Sequence, residues 1–168
     1  MNLKKCIFAV LFRTLLGHVV CRKGVCVDPT KVAVIVHMEA PETVKKLRSL
    51  LGHTSYYRWF IRNYAKITAP LEKLLWKSEV FQWTDDCRLA LDTLKDNLAT
   101  SPILVHPNWD KQFHVHIDAF GIALGAVLAQ PREMTVDHPV YFASRKLSNA
   151  ERNYTTMERE ALAMVYSL

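Results

Sequence analysis

The stretch Phe113-His114-Val115-His116-Ile117-Asp118-Ala119-Phe120-Gly121-Ile122-Ala123-Leu124-Gly125-Ala126-Val127-Leu128-Ala129-Gln130 carries the strongest local signal in the chain. From Phe113 to Asp118 apolar and polar residues alternate with period two. Phe113, Val115 and Ile117 therefore share one face of a strand, and His114, His116 and Asp118 share the other. Gly121 turns the chain, Ile122 to Gln130 reads as a second strand, and Val140 to Ser144 as a third. The expected unit is a three-strand meander with a break around Pro131 to His138. Two capping boxes follow, Ser148 with Glu151 and Thr155 with Glu158. The second opens a helix expected to run to Leu168, with no stop signal before it.

Upstream of this unit the period becomes helical. Phe81-Gln82-Trp83-Thr84 opens a segment in which Thr84 caps a helix whose buried stripe is Cys87, Ala90, Leu91, Leu94 and Leu98, stopped by Ser101-Pro102. Further back, Asp28 caps a short helix with Pro29 at its first position. Thr43 caps another, with Val44, Leu47, Leu50 and Leu51 on one side and Gly52 marking its end. A third helix carries Leu71, Leu74 and Leu75. Tyr56, Tyr57 and Trp59 lie between these helices, interleaved with Arg58, Arg62 and Lys66, and at least two of the three aromatics are expected in the core. Residues 6–20 alternate loosely. Leu16-Gly17 and Arg22-Lys23-Gly24 read as turns, and Val25-Cys26-Val27 as a return strand.

Half of the 168 residues are hydrophobic and 23% are charged, which calls for a buried core rather than disorder. Residues 1–77 hold 14 Lys and Arg against 4 Asp and Glu, whereas residues 78–168 hold 8 against 12. The basic half reads as an ordinary solvated surface or as a surface for a polyanion. Four cysteines without dense, regular spacing suggest no disulfide scaffold and read as reduced thiols, and His18, Cys21 and Cys26 fit no common zinc spacing. The start, Met1 to Phe12, imitates a signal peptide, but Arg13 breaks it. No apolar run reaches the roughly 18–20 residues of a membrane span. The expectation is a soluble, intracellular chain with no membrane partner.

Several stretches, in order, resemble the C-terminal part of the polymerases of Gypsy-type LTR retrotransposons. Lys5-Cys6-Ile7-Phe8 and Leu16-Gly17-His18-Val19 are similar to the end of the palm with its primer-grip hairpin, and Val27-Asp28-Pro29-Thr30-Lys31-Val32 to the join with the thumb. Residues Thr43 to Gly52, Tyr56-Tyr57-Arg58-Trp59-Phe60-Ile61 and Ala69-Pro70-Leu71 resemble the thumb. Phe81-Gln82-Trp83-Thr84 with Cys87 and Leu94-Lys95 resembles the connection. Asp118-Ala119-Phe120-Gly121, Gly125-Ala126-Val127-Leu128, Tyr141 to Ser148, Glu151-Arg152-Asn153-Tyr154 and Glu158 to Ala163 resemble the opening of an RNase H domain. Leu15, His53 and Phe120 depart from the family pattern. The implied order is palm end over 1–28, thumb over 29–78, connection over 79–112 and a partial RNase H-like domain over 113–168. The implied fold is α+β: a small helical thumb and connection followed by a truncated RNase H-like mixed sheet with its first helix.

The resemblance implies RNA-directed DNA synthesis coupled to cleavage of RNA in the hybrid, in cytoplasmic particles and the nucleus. It places Asp118 and Glu160 as carboxylate ligands of Mg2+ or Mn2+, which hold the scissile phosphate and activate water. By spacing alone, Asp118 reads as the start of a turn and Glu160 as a solvated helix position. Two further carboxylates of the family fall outside this chain, so the chain alone is expected to perform neither reaction. Its expected residual activity is binding of primer-template or RNA–DNA hybrid through Leu16, Gly17 and His18 and through Lys45, Lys46, Arg48, Arg58 and Arg62. The remainder of the Pol polyprotein is its expected protein partner, and no small-molecule substrate is implied. A non-catalytic nucleic-acid-binding module is the alternative. His114, His116 and Asp118 also form a possible transition-metal trio on one strand face.

Overall fold

The computed structural model describes residues 6, 10–132 and 136–168. The Met1–Lys5 start and all of the Lys5-Cys6-Ile7-Phe8 motif except Cys6 lie outside the described residues. The chain opens on an antiparallel sheet of β1 (Phe12–Leu15), β2 (His18–Cys21) and β3 (Gly24–Val27), in that order. Leu16 and Gly17 both have positive φ, 48° and 73°, and Leu15 pairs directly with His18. A two-residue turn of this handedness matches the twist of the strands it joins. At Gly24, with φ 150°, a Cβ would stand 2.1 Å from the Leu104 carbonyl oxygen. Glycine lets Val25 and Leu104 exchange two backbone hydrogen bonds of 2.8 and 2.9 Å, which ties β3 to a segment some 80 residues away.

The helices follow their caps. Asp28 accepts from the Thr30 amide ahead of α1 (Pro29–Val36), Thr43 caps α2 (Val44–Tyr56), and Thr84 caps α5 (Asp85–Ala99). Between α2 and α5 lie a 3-10 turn (Arg58–Phe60), α3 (Tyr64–Ile67) and α4 (Ala69–Lys73). The expected stop at Gly52 does not occur, because the buried stripe Leu47, Leu50, Leu51 continues to Thr54. The Thr54 hydroxyl meets the Leu51 carbonyl at 3.3 Å and the Tyr64 hydroxyl at 3.0 Å in a fully buried position. That packing outweighs the roughly 1 kcal/mol cost of a mid-helix glycine. The expected stripe of α5 is buried at all five positions. One apolar core runs from Val27 through α1, α2 and α5 to Leu104. At least two of Tyr56, Tyr57 and Trp59 are expected in it, but only Tyr57 is buried. Tyr56 and Trp59 are 46% and 39% exposed, whereas the neighbouring Phe60 is buried.

The second sheet is antiparallel in the order β4 (His114–Ala119), β5 (Ala123–Pro131), β6 (Asp137–Lys146). The break between β5 and β6 falls within the expected interval but is narrower, since β5 runs to Pro131 and β6 begins at Asp137. Gln130 pairs with His138 and Pro131 with Asp137. The Gln130 amide is buried, donates to the Asn108 and Lys111 carbonyls at 2.7 and 3.2 Å and accepts from the Asn108 amide at 2.8 Å, so the strand end is held by the preceding loop. Ser148 and Glu151 open only a 3-10 turn (Glu151–Asn153), while Thr155 and Glu158 complete a capping box ahead of α6 (Thr156–Ser167). Through Leu162, Ala163 and Tyr166, α6 packs on Ile117, Ala119, Leu124 and Leu147. The opposite sheet face receives the start of α3.

Two measurements check this packing. Leu94 is fully buried where α5 meets the rest of the core. Leu94→Ala is expected to lower unfolding stability by about 2–5 kcal/mol in a denaturant titration. Arg145 grips Glu151 with two bonds of 2.8 and 2.9 Å, and this pairing, aided by the Ser148 amide, pulls the Glu151 carboxyl from 4.5 down to about 2. A depressed folded-state value stabilises the fold above the unfolded value and ceases to do so as pH falls through the folded one. The melting difference between the native chain and Glu151→Gln is therefore expected to be full above about pH 4.5 and to vanish as pH falls toward 2.

Candidate nucleic-acid interface and carboxylate site

The Leu16-Gly17 turn is fastened from below by the aromatic segment after α2. The Tyr56 hydroxyl donates to the Leu16 carbonyl, and the Tyr57 hydroxyl donates to the Gly17 carbonyl at 2.9 Å. The His18 ring lies 5.1, 5.5, 5.8 and 5.6 Å from the rings of Tyr56, Tyr57, Trp59 and Phe60. Its Nδ1 lies 3.0 Å from the Leu16 carbonyl, and its Nε2 is buried with no protein partner. Burial raises the Tyr57 hydroxyl above its ordinary value, with the Asp28 charge adding to it, so it remains a protonated donor. Both turn carbonyls are thus held inward, while the Leu16 side chain, 81% exposed, stands out at the tip.

The buried stripe of α2 leaves Lys45, Arg48, Gly52 and Tyr56 exposed at helical spacing along one ridge. The ridge ends at the Leu16-Gly17 turn. There Gly52, His53, Lys31 and Tyr56 line a groove of about 430 Å³ with Leu16 and Gly17. A Cβ on Gly52 would meet nothing within 4 Å, so the groove wall is open at that point. Lys46 is turned aside to Glu42 at 2.7 Å. Arg58 and Arg62 are exposed off this ridge, and Arg62 borders a hollow with His116, Asp137 and Phe142 beside the second sheet.

The two candidate carboxylates stand on different elements. Asp118 is half-buried on the β4 face that receives α3, and the Asn63 side-chain amide donates to its Oδ2 at 3.2 Å. Glu160 is exposed on α6, which packs on the other face. Among the described residues it makes no hydrogen bond or ion pair, with Asp118 or with any other side chain. The alternative trio of His114, His116 and Asp118 does not form. Asp118 is engaged by Asn63, and the two imidazoles instead share Asp137, at 2.8 Å from His114 Nδ1 and 2.7 Å from His116 Nε2. Those hydrogen bonds, His114 first, hold the Asp137 carboxyl below its ordinary value. Among the described residues no three His, Cys, Asp or Glu side chains are arranged to hold a metal ion. No helix there is long and apolar enough to cross a membrane.

Sequence reading missed Asn63 and the tyrosine hydroxyls. One signal was available: a glycine inside a strand, here Gly125, marks a close approach by another part of the chain. Tyr57→Phe deletes the bond to the Gly17 carbonyl while keeping the buried ring. It is expected to cost about 0.5–1.5 kcal/mol in unfolding stability and to speed hydrogen exchange at the β1–β2 turn, as read by mass spectrometry.

Known proteins align along nearly the whole chain. It is 39% identical over 99% of its length to the retrovirus-related Pol polyprotein from transposon opus of Drosophila melanogaster. It is 38% identical over 99% to the corresponding polyprotein from transposon 297 of the same organism, and 32% identical over 99% to the transposon Tf2-3 polyprotein of Schizosaccharomyces pombe. It spans 18%, 15% and 12% of their respective lengths. The fold is shared with the foamy viral protease-reverse transcriptase. In complex with an RNA/DNA hybrid, that protein superposes with a TM-score of 0.79 at 23% identity, covering 98% of this chain and 22% of that one. In complex with dsDNA the TM-score is 0.81 at 22% identity, covering 97% and 34%. Residues 83–168, which hold α5, the second sheet and α6, match the model of the RNase H-like domain found in reverse transcriptase, and the chain belongs to that family.

Proposed function

We propose that the chain is the part of a Gypsy-type LTR retrotransposon Pol polyprotein that carries the palm end (1–28), thumb (29–78), connection (79–112) and RNase H-like unit (113–168). In this reading its own activity is to grip a primer-template or RNA–DNA hybrid. The observation that carries it is the continuity of the Lys45–Arg48–Gly52–Tyr56 ridge with a hairpin turn fastened by two tyrosine hydroxyls. Cations along one ridge neutralise phosphates, and an open glycine wall admits a sugar-phosphate backbone. The foamy viral relatives of this fold hold an RNA/DNA hybrid or dsDNA, and the sequence relatives are Pol polyproteins, which supports the same partner class.

Within the intact polyprotein the reading assigns RNA-directed DNA synthesis and RNA cleavage, with Asp118 and Glu160 as carboxylate ligands. Mg2+ is commonly held by one or two carboxylates plus substrate phosphates. Asp118 suits that use, because its Oδ1 accepts no hydrogen bond from the described residues. When bound, Mg2+ or Mn2+ would polarise the phosphate and activate water. The chain's own residues orient the carboxylate and the strand. Because Asp118 and Glu160 are not brought together in the described residues, this reading has the chain by itself cleave no RNA.

The test is fluorescence anisotropy with a labelled RNA–DNA hybrid across a salt series, with electrophoresis of the same mixtures in Mg2+ and Mn2+. The expected result is affinity that falls with salt, a log–log slope shallower by about two in Lys45→Ala/Arg48→Ala, and an intact RNA strand. Binding indifferent to salt and to that double substitution would remove the proposed grip. RNA cleavage abolished by Asp118→Asn would overturn the assignment of inactivity to the chain alone.

A further inference from the structure

We infer that Asn63, which lies 55 residues before Asp118 and outside the RNase H-like sheet, is the positioning residue for the Asp118 carboxylate. The inference rests on the reading of Asp118 as a divalent-cation ligand. Asp118, Gly125 and Ser144 stand directly opposite one another on β4, β5 and β6, forming one row across the sheet. The start of α3 meets all three members of that row. The Asn63 amide nitrogen donates to Asp118 Oδ2 at 3.2 Å, and the Ala65 backbone amide donates to Ser144 Oγ at 3.0 Å. Between them, the Asn63 Oδ1 occupies the space a side chain at 125 would need, only 2.0 Å from where a Cβ on Gly125 would sit.

Both backbones are specialised for this approach. Asn63 has φ 57° and ψ 33°, a left-handed conformation that asparagine tolerates better than other residues with a Cβ. Gly125 gives up the side-chain packing that strengthens the middle of a strand. The donor is also chemically suited to a carboxylate that must remain a ligand. A neutral amide fixes the orientation of Asp118 without cancelling its charge. The cation one turn along, Lys66, is not spent on Asp118: its Nζ sits 3.5 Å from the centre of the Phe120 ring. Hydrogen-bond partners of ligating carboxylates orient them, and their loss commonly weakens metal affinity by about 10- to 100-fold.

Asn63→Gly is the discriminating variant, because glycine keeps the left-handed backbone and removes only the amide. Mn2+ titrations of the full 168-residue chain, followed by paramagnetic broadening of backbone amide signals around Asp118, read the site without requiring catalysis. The proposal expects about 10- to 100-fold more Mn2+ for equal broadening in Asn63→Gly, with a spectrum otherwise preserved. Gly125→Ala, which pushes the amide away from the other side, should give the same loss. Broadening that disappears in Asp118→Asn but is native-like in Asn63→Gly overturns the positioning role and leaves Asp118 a ligand. Broadening that is absent in the native chain, or unaltered in Asp118→Asn, overturns both statements.

Discussion

Close backbone approach, permitted by the absence of a Cβ, holds the two sheets of this chain in register with its helices. At Gly24 the Leu104 carbonyl occupies the place of a side chain, and at Gly125 the Asn63 amide does. The first contact closes the helical core by tying β3 to the segment after α5. The second seats the start of α3 on the middle of the β4–β5–β6 sheet. Between these points a continuous apolar core, with Leu47, Leu71, Leu94 and Leu98 fully buried, makes α1 to α5 a single body. The hairpin turn and Asp118 are therefore fixed relative to one another through packing, although no hydrogen bond links them.

Charge follows the same division. The excess of Lys and Arg lies in residues 1–77, where α2 displays part of it on a ridge beside the turn. The second half carries most of the carboxylates, and several of these are already committed within the fold: Glu151 to Arg145, Asp137 to two histidines, and Glu158 to the cap of α6. Asp118 is held differently, by a neutral donor on one oxygen. Glu160 is held by nothing among the described residues.

The parts of the fold governed by neighbours in sequence were legible. Asp28, Thr43, Thr84 and Thr155 cap helices as their spacing indicates, because a cap is made with amides two or three residues away. The α5 stripe and the alternation of β4 were equally readable from period. Misreadings arose where distant partners decide. Gly52 fails to end α2 because Thr54 finds Tyr64, and β5 and β6 extend further than expected because Gln130 finds Asn108. Of the site, the turn at Leu16-Gly17 and the residue types at 118 and 160 could be singled out. The Asn63 contact depends on a side chain 55 residues from Asp118, and Asp137 displaces Asp118 as the histidine partner by reaching across β5. Neither arrangement leaves a periodic trace.

The fastening of the turn also sets an order of assembly. A two-residue hairpin such as β1–β2 closes locally on a microsecond scale, but Tyr56 and Tyr57 reach its carbonyls from 40 residues further along the chain. The loop between them must close before either hydroxyl contributes, and that entropic cost falls early in folding while its return comes late. The hairpin is thus a transient element until α2 has formed and docked. The turn and the groove beside it are completed only when the helical body behind them is in place.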